Sequence, residues 1–437
     1  MNLVRFFLLL AVLIVPLRVL AAPTDLPSRC FVCAAASEAA YSGELPELLR
    51  ARLAAAGWQI ASYETEGRRG TVGRFFHMVR TDEDGTETHL IAFPGTERGS
   101  DVWTDLRLGR AAFGGDSPAE FLAVRDMRVT DRKETPLVHR GFLDYTQAAL
   151  FTDVLPAYGN RTAGEVLAAE LRAHPSMRIY LTGHSLGGAA AVLTAARLSD
   201  LGVTPEQLVV TTFGAPAVGN AAFVRRYEGR FTLHRVVMSG DPMKDVLAAP
   251  LGFQQFGERV PWSPARSVAK FPHAMMVYVD AAIRQLYDAY GGDNAFLFLM
   301  GLPNRTEGRT LYVLPIETEL DDTLAEDAPY MMAVLRDALH VQNAQVVFAS
   351  GGGGLSAQGL LSGLGGHLVA ARAAGAEQMV AYRIAGAKER TAHETCRVTL
   401  ERAVYDMDGN LLAATSRSAR TGTLTPIETV LYLFAQD

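Results

Sequence analysis

One short segment constrains the fold more than any other: Gly183-His184-Ser185-Leu186-Gly187-Gly188, set between an apolar run at 178–182 and an alanine-rich run that continues to about 201. The first run reads as a strand and the second as a helix, so the chain must turn sharply from one into the other. In such a turn the central residue is strained, and the residues two before and two after it must lack side chains that would clash. The serine side chain is then lifted out of the sheet. The N–H of Leu186 opens the helix, and the helix dipole points at the same place. A strand–turn–helix unit of this kind belongs in a mostly parallel sheet covered by helices.

The rest of the first 290 residues keeps that rhythm. Strands are expected at 75–80 and 88–93, joined by the turn residues Asp82-Glu83-Asp84-Gly85 into a hairpin, and again at 209–213 and 233–238. Helices are expected within 34–55 and at 141–155, 164–173 and 186–201. The segment 99–136 is too long for a plain connection and reads as a flap over a functional site, with local helix. A boundary falls near 300–308, where Gly301, Pro303 and Asn304 cluster. Beyond it come expected strands at 310–316, 345–349, 379–383, 397–406 and 411–418, and helices at 330–339 and 360–374. The fold class is therefore α/β, with a smaller α/β module after the first sheet.

The N-terminus has the layout of a secretory signal peptide. Arg5 precedes an apolar run at 6–17, and Val19-Leu20-Ala21 supplies the small-residue pattern for cleavage before Ala22. The expected organisation is 1–21 signal, 22–300 main domain and 308–437 accessory domain, in a secreted or periplasmic protein. Cys30 and Cys33, spaced C-F-V-C, are expected to form a short structural disulfide, and Cys396 to be buried. The net charge of −6, from 41 basic and 47 acidic residues, argues against a nucleic-acid partner.

A serine on such a turn needs a base and a group that orients the base, and in this architecture they follow it in the order acid, then histidine. Of the later histidines, His273 lies in a Pro-led loop entering an apolar helix, ahead of the second module. The acid should stand at a strand end between the two. Asp241 follows the strand at 233–238 through Ser239-Gly240, and Asp245 is its rival. A second donor for a developing oxyanion should come from the loop after 88–93, where Thr96 follows Pro94-Gly95.

Taken together these residues resemble the class 3 lipases, the family of the fungal-type triacylglycerol lipases. The shared marks are Phe93-Pro94-Gly95-Thr96, Trp103-Thr104-Asp105-Leu106, Val138-His139-Arg140-Gly141-Phe142, Gly183–Gly188, Thr212-Phe213-Gly214-Ala215-Pro216 with Val218-Gly219-Asn220, Asp241, and His273 with Tyr278. The resemblance covers roughly residues 34–290. It implies an α/β-hydrolase fold and a Ser185, Asp241, His273 triad, with Thr96 and Leu186 as oxyanion hole. It places a lid at 99–108 carrying Trp103 and Leu106, with His184 beside the substrate pocket. It implies no metal or organic cofactor, and a lipid ester substrate at a lipid–water interface. Three features depart from the family pattern: Asp241-Pro242-Met243, Pro94 where arginine is usual, and a longer stretch between Trp103 and His139. The same triad would serve a phospholipase A1 or an acyltransferase, and a non-catalytic envelope scaffold is the reading from a different class. Residues 310–316, 375–380 and the turn Asp406–Asn410 resemble the small α/β domain of periplasmic TolB N-terminal-type proteins. That resemblance implies a module contacting an envelope protein or a membrane surface.

Overall fold

The computed structural model describes residues 25–67, 71–81, 85–96, 109–159, 161–243, 252–269, 271–290, 310–343, 345–349, 357–389 and 395–436. The signal-like run, the expected lid with Trp103 and Leu106, and Asp245 lie outside them.

Seven strands form the main sheet: β1 (Gln59–Glu66), β2 (Val72–Thr81), β3 (Glu87–Phe93), β4 (Ile179–His184), β5 (Leu208–Phe213), β6 (Thr232–Met238) and β7 (Glu258–Trp262). They lie side by side in that order. The first three pair antiparallel, which confirms the hairpin, and β3 through β7 pair parallel. Strands β4 and β5 are buried at every position, as expected of central strands covered on both faces. Alternate residues feed two cores. Tyr180, Val209 and Phe213 face α1 (Leu26–Ala39) and the later helix Met275–Tyr290, while Ile179, Leu181 and Val210 face the helices Arg140–Gln147, Ala163–Ala173 and Leu186–Asp200. The edge strand β1 carries Glu64 and Glu66 among mostly exposed positions and has no apolar alternation to announce it.

Two expectations are corrected. Helix α1 runs straight through Cys30 and Cys33, so no short loop exists to close a disulfide; both are free, buried thiols, and burial pushes them up to about 12 and about 11. The described part, 109–136, of the flap expected over 99–136 is packed onto the body of the domain. A ribbon of Arg110–Ala112 with Leu137–His139 and a helix at Pro118–Asp126 anchor it, and the guanidinium of buried Arg197 lies 3.9 Å from the ring centres of both Phe113 and Phe121. Each of those rings is 1% exposed, so they belong to the core and are no part of a moving cover.

The second sheet is mixed, with strands β8 (Thr310–Val313), β9 (Glu317–Leu320), β10 (Gln345–Phe348), β11 (Gln378–Lys388), β12 (Cys396–Tyr405) and β13 (Leu411–Arg420). Its order is β10-β8-β11-β12-β13, and β9 pairs with β11 beyond the end of β8. The single strand expected at 310–316 is thus split, because Pro315 has no N–H to continue the ladder after Leu314 donates to Val380. Besides the helices Pro118–Asp126 and Ala221–Tyr227, those that follow α1 in chain order are α2 (Glu44–Ala55), α3 (Arg140–Gln147), α4 (Ala163–Ala173), α5 (Leu186–Asp200), α6 (Met275–Tyr290), α7 (Ala328–Gln342), α8 (Ala357–Ala373) and α9 (Pro426–Ala435). One apolar cluster joins Leu45 and Leu49 of α2, Ile283 and Leu286 of α6, Val334 and Leu335 of α7, and Ile427 and Val430 of α9. The second sheet is therefore docked through its helices onto the first unit. Arg284 bridges Asp280 and Asp327 along this seam, and Tyr287 donates to Asp337. No helix among the described residues is long and apolar enough to cross a membrane.

Candidate active site

Ser185 sits between β4 and α5 with φ 54° and ψ −120°, the one non-glycine residue of positive φ among those described. Its neighbours show why the turn needs glycine. A Cβ on Gly183 would lie 2.3 Å from the Gly187 carbonyl carbon, and one on Gly187 would lie 2.1 Å from the Phe93 carbonyl oxygen. The Ser185 N–H donates to Phe213 at 3.0 Å, tying the turn to β5. The first N–H groups of α5 have no partner within the helix, so the Leu186 N–H is available to an anion beside Ser185.

His273 Nε2 lies 3.2 Å from Ser185 Oγ, and His273 Nδ1 lies 2.8 Å from Asp241 Oδ2. A carboxylate only accepts, so Nδ1 carries the hydrogen and Nε2 is left to accept from the serine. Asp241 is 2% exposed and also accepts from the Tyr278 hydroxyl at 2.5 Å and the Met243 N–H at 2.8 Å. Burial by itself would raise its pKa. The His273, Tyr278 and Met243 interactions outweigh that and hold it below the usual carboxylate range. Gly214, at φ +55°, gives these groups room: a Cβ there would lie 2.6 Å from Asp241 Oδ2 and 2.9 Å from the Tyr278 hydroxyl.

Ser185, His273 and Asp241 are thus brought together, while His184 is placed differently from expectation. His184, expected beside the substrate pocket, is instead buried beneath the His273 loop: its Nε2 lies 2.7 Å from the His273 carbonyl oxygen and its Nδ1 2.8 Å from the Tyr41 hydroxyl. Burial pushes its pKa down to about 3, with the nearby His273 acting in the same direction, so the ring is neutral. Tyr41 itself gave no signal in the sequence, since it lies 143 positions from His184 and belongs to no motif. The Phe93–Thr96 turn packs on the elbow; a Cβ on Gly95 would lie 2.8 Å from the His184 carbonyl oxygen. Thr96 is partly exposed at its end. Asp200, which ends α5, is engaged by Arg226 and Tyr227 away from this site. Among the described residues no cluster of His, Cys, Asp and Glu is arranged to hold a metal ion.

A serine at a strand-to-helix turn of a mostly parallel sheet, with acid and histidine supplied from later loops, is the arrangement of the α/β-hydrolases. Residues 90–249 match the family model described as Lipase (class 3). Toxin TseL of Vibrio cholerae is 33% identical over 122 residues, 26% of this chain and 17% of the toxin. A lipase of Rhizopus niveus is 33% identical over 119 residues, 26% of this chain and 28% of that protein. The solved structure of lipase II from Rhizopus niveus covers 54% of this chain and 78% of its own, at 20% identity and a TM-score of 0.38. The chain spans only 17% and 28% of the length of these two curated relatives. The family model ends before His273 and before the whole second sheet.

Proposed function

We propose that this protein is a serine carboxylic ester hydrolase acting on lipid esters at a lipid–water interface, exported to the periplasm or beyond. The observation that carries the reading is the hydrogen-bonded chain from Ser185 Oγ through His273 to Asp241, built at a strained turn. Ser185 attacks the ester carbonyl while His273 Nε2 takes its proton. The tetrahedral oxyanion is held by the N–H of Leu186 at the start of α5 and by Thr96 from the adjoining turn. His273 then returns the proton to the leaving alcohol, and the acyl group remains on Ser185. A water activated by the same histidine releases the acid. Asp241 fixes the His273 tautomer and stabilises the imidazolium in both halves of the cycle, and the Tyr278 hydroxyl and Met243 N–H keep the carboxylate ionised while it does so.

The test is direct. A fluorophosphonate probe should label the wild-type protein at Ser185 and leave Ser185→Ala unlabelled, with hydrolysis of a soluble short-chain ester lost in parallel by several orders of magnitude. Retained hydrolysis in the alanine variant would overturn the reading. An acyl acceptor other than water would appear as ester exchange when a long-chain alcohol or lysophospholipid is added.

A further inference from the structure

We propose that Tyr41 is a positioning residue for the base and nucleophile: its hydroxyl holds the ring of His184 in place, and His184 in turn holds the His273 backbone against the elbow. The inference rests on the ester-hydrolase reading of the site and adds to it a second support for His273, independent of Asp241.

His273 belongs to no regular element. It lies in the turn closed by the Ala274 N–H donating to Phe271 at 2.8 Å, just ahead of α6. What ties this turn to the nucleophile is the residue preceding Ser185. The His184 ring lies 4.6 Å from the His273 ring, tilted by 39°, and the His184 Nε2 meets the His273 carbonyl oxygen at 2.7 Å. A carbonyl only accepts, so this bond exists only when Nε2 carries the hydrogen. The ring is neutral, and the carbonyl selects the tautomer with the hydrogen on Nε2; Nδ1 is then an acceptor, to which the Tyr41 hydroxyl donates at 2.8 Å, holding the ring in its orientation. Tyr41 is itself anchored. Arg50 of α2 donates to the carbonyls of Tyr41 at 3.0 Å and Ala39 at 2.6 Å, and the Tyr41 hydroxyl packs directly on Gly95, 2.0 Å from where a Cβ would stand. One hydroxyl thus touches the turn that ends at Thr96, the strand end that bears Ser185 and, through His184, the loop that bears His273.

In Tyr41→Phe the Nδ1 lone pair loses its donor, and nothing at that end holds the ring in its orientation. A ring that turns weakens the bond from Nε2 to the His273 carbonyl oxygen. A glutamine at 184 removes this dependence, because its amide nitrogen stands at the Nε2 position and it has no acceptor at the Nδ1 position. The experiment is therefore a double-mutant cycle of wild type, Tyr41→Phe, His184→Gln and the pair, read as kcat and KM on a soluble p-nitrophenyl ester, as labelling rate with a fluorophosphonate, and as Tm. Tyr41→Phe should lower kcat and the labelling rate about tenfold, with KM within about twofold, as expected for loss of one buried hydrogen bond that matters in the transition state. On the His184→Gln background the same change should have no further effect. An equal loss on both backgrounds would make Tyr41 a packing residue beside Gly95 and overturn the proposal, as would no loss on either. Should the glutamine variant fail to fold, Tyr41→Phe decides alone: reduced kcat at unchanged KM and Tm supports the proposal, and unchanged kcat or a joint fall in Tm overturns it. A wild-type protein that neither hydrolyses the ester nor reacts with the probe refutes the hydrolase reading itself, a different outcome from any of these.

Discussion

Replacing Glu38 by glutamine should stabilise the protein on the alkaline side of neutrality and leave it nearly unchanged in acid. Glu38 lies near the end of α1 and is 8% exposed. Burial pushes its carboxyl up to about 7 from the ordinary 4.5. The groups bearing on this region are Glu428 of α9, whose two carboxyl oxygens are buried without a hydrogen-bond partner, and the Asp280–Arg284 pair of α6. Below about 4.5 Glu38 is protonated in both folded and unfolded chains and stability is at its full value. Between 4.5 and about 7 the unfolded chain releases a proton that the folded chain keeps, so stability falls as pH rises; above about 7 the loss is complete. At 1.36 kcal/mol per pH unit, the gap amounts to roughly 3 kcal/mol, most of which develops between pH 5 and 8.5. A neutral amide has no such term. Urea or thermal denaturation at pH 5 and pH 8.5 should therefore give similar midpoints for Glu38→Gln and wild type in acid, and a midpoint several degrees higher for the variant in alkali. Parallel curves for the two proteins across that range would refute the reasoning.

Asp241→Asn should lower kcat on the order of 10³–10⁴-fold, through loss of the productive His273 tautomer, while Asp245→Asn stays near wild type; the reverse result would move the acid to Asp245. Gly187→Ala would place a Cβ 2.1 Å from the Phe93 carbonyl oxygen, so Tm and activity should fall together, with at least the roughly 1–3 kcal/mol typical of overpacking; an unchanged Tm would show that the turn is looser than described. Ending the chain before residue 310 should yield insoluble protein, because α2 and α6 would expose Leu45, Leu49, Ile283 and Leu286. A soluble fragment melting at the wild-type temperature would show that the second sheet is an appendage.

The sequence by itself determined what short-range sterics and periodicity dictate. The elbow was legible because a serine between two glycines, after an apolar strand and before an alanine-rich helix, has one economical conformation, and its observed φ of 54° is that conformation. The hairpin β2–β3, the parallel order of β3 to β6 and the placement of Asp241 and His273 after it follow from alternation, turn residues and chain order. The edge strand β1, the last helix α9 and the interruption at Pro315 were missed or misjudged, since each depends on what packs beside it rather than on its own text. Only the tertiary structure decided which apolar residues of 109–136 are core. Phe113 and Phe121 look like a cover until Arg197 is found between them, and Arg197 lies 76 residues beyond Phe121 in the chain. The same holds for Cys30 and Cys33, whose spacing is silent on whether a loop or a helix runs between them. It holds for Tyr41 and for the buried acids at the seam of the two sheets as well. A hydrogen bond across 143 residues, or a carboxyl whose charge is suppressed by burial, leaves no local pattern, because its energy comes from neighbours that only folding supplies.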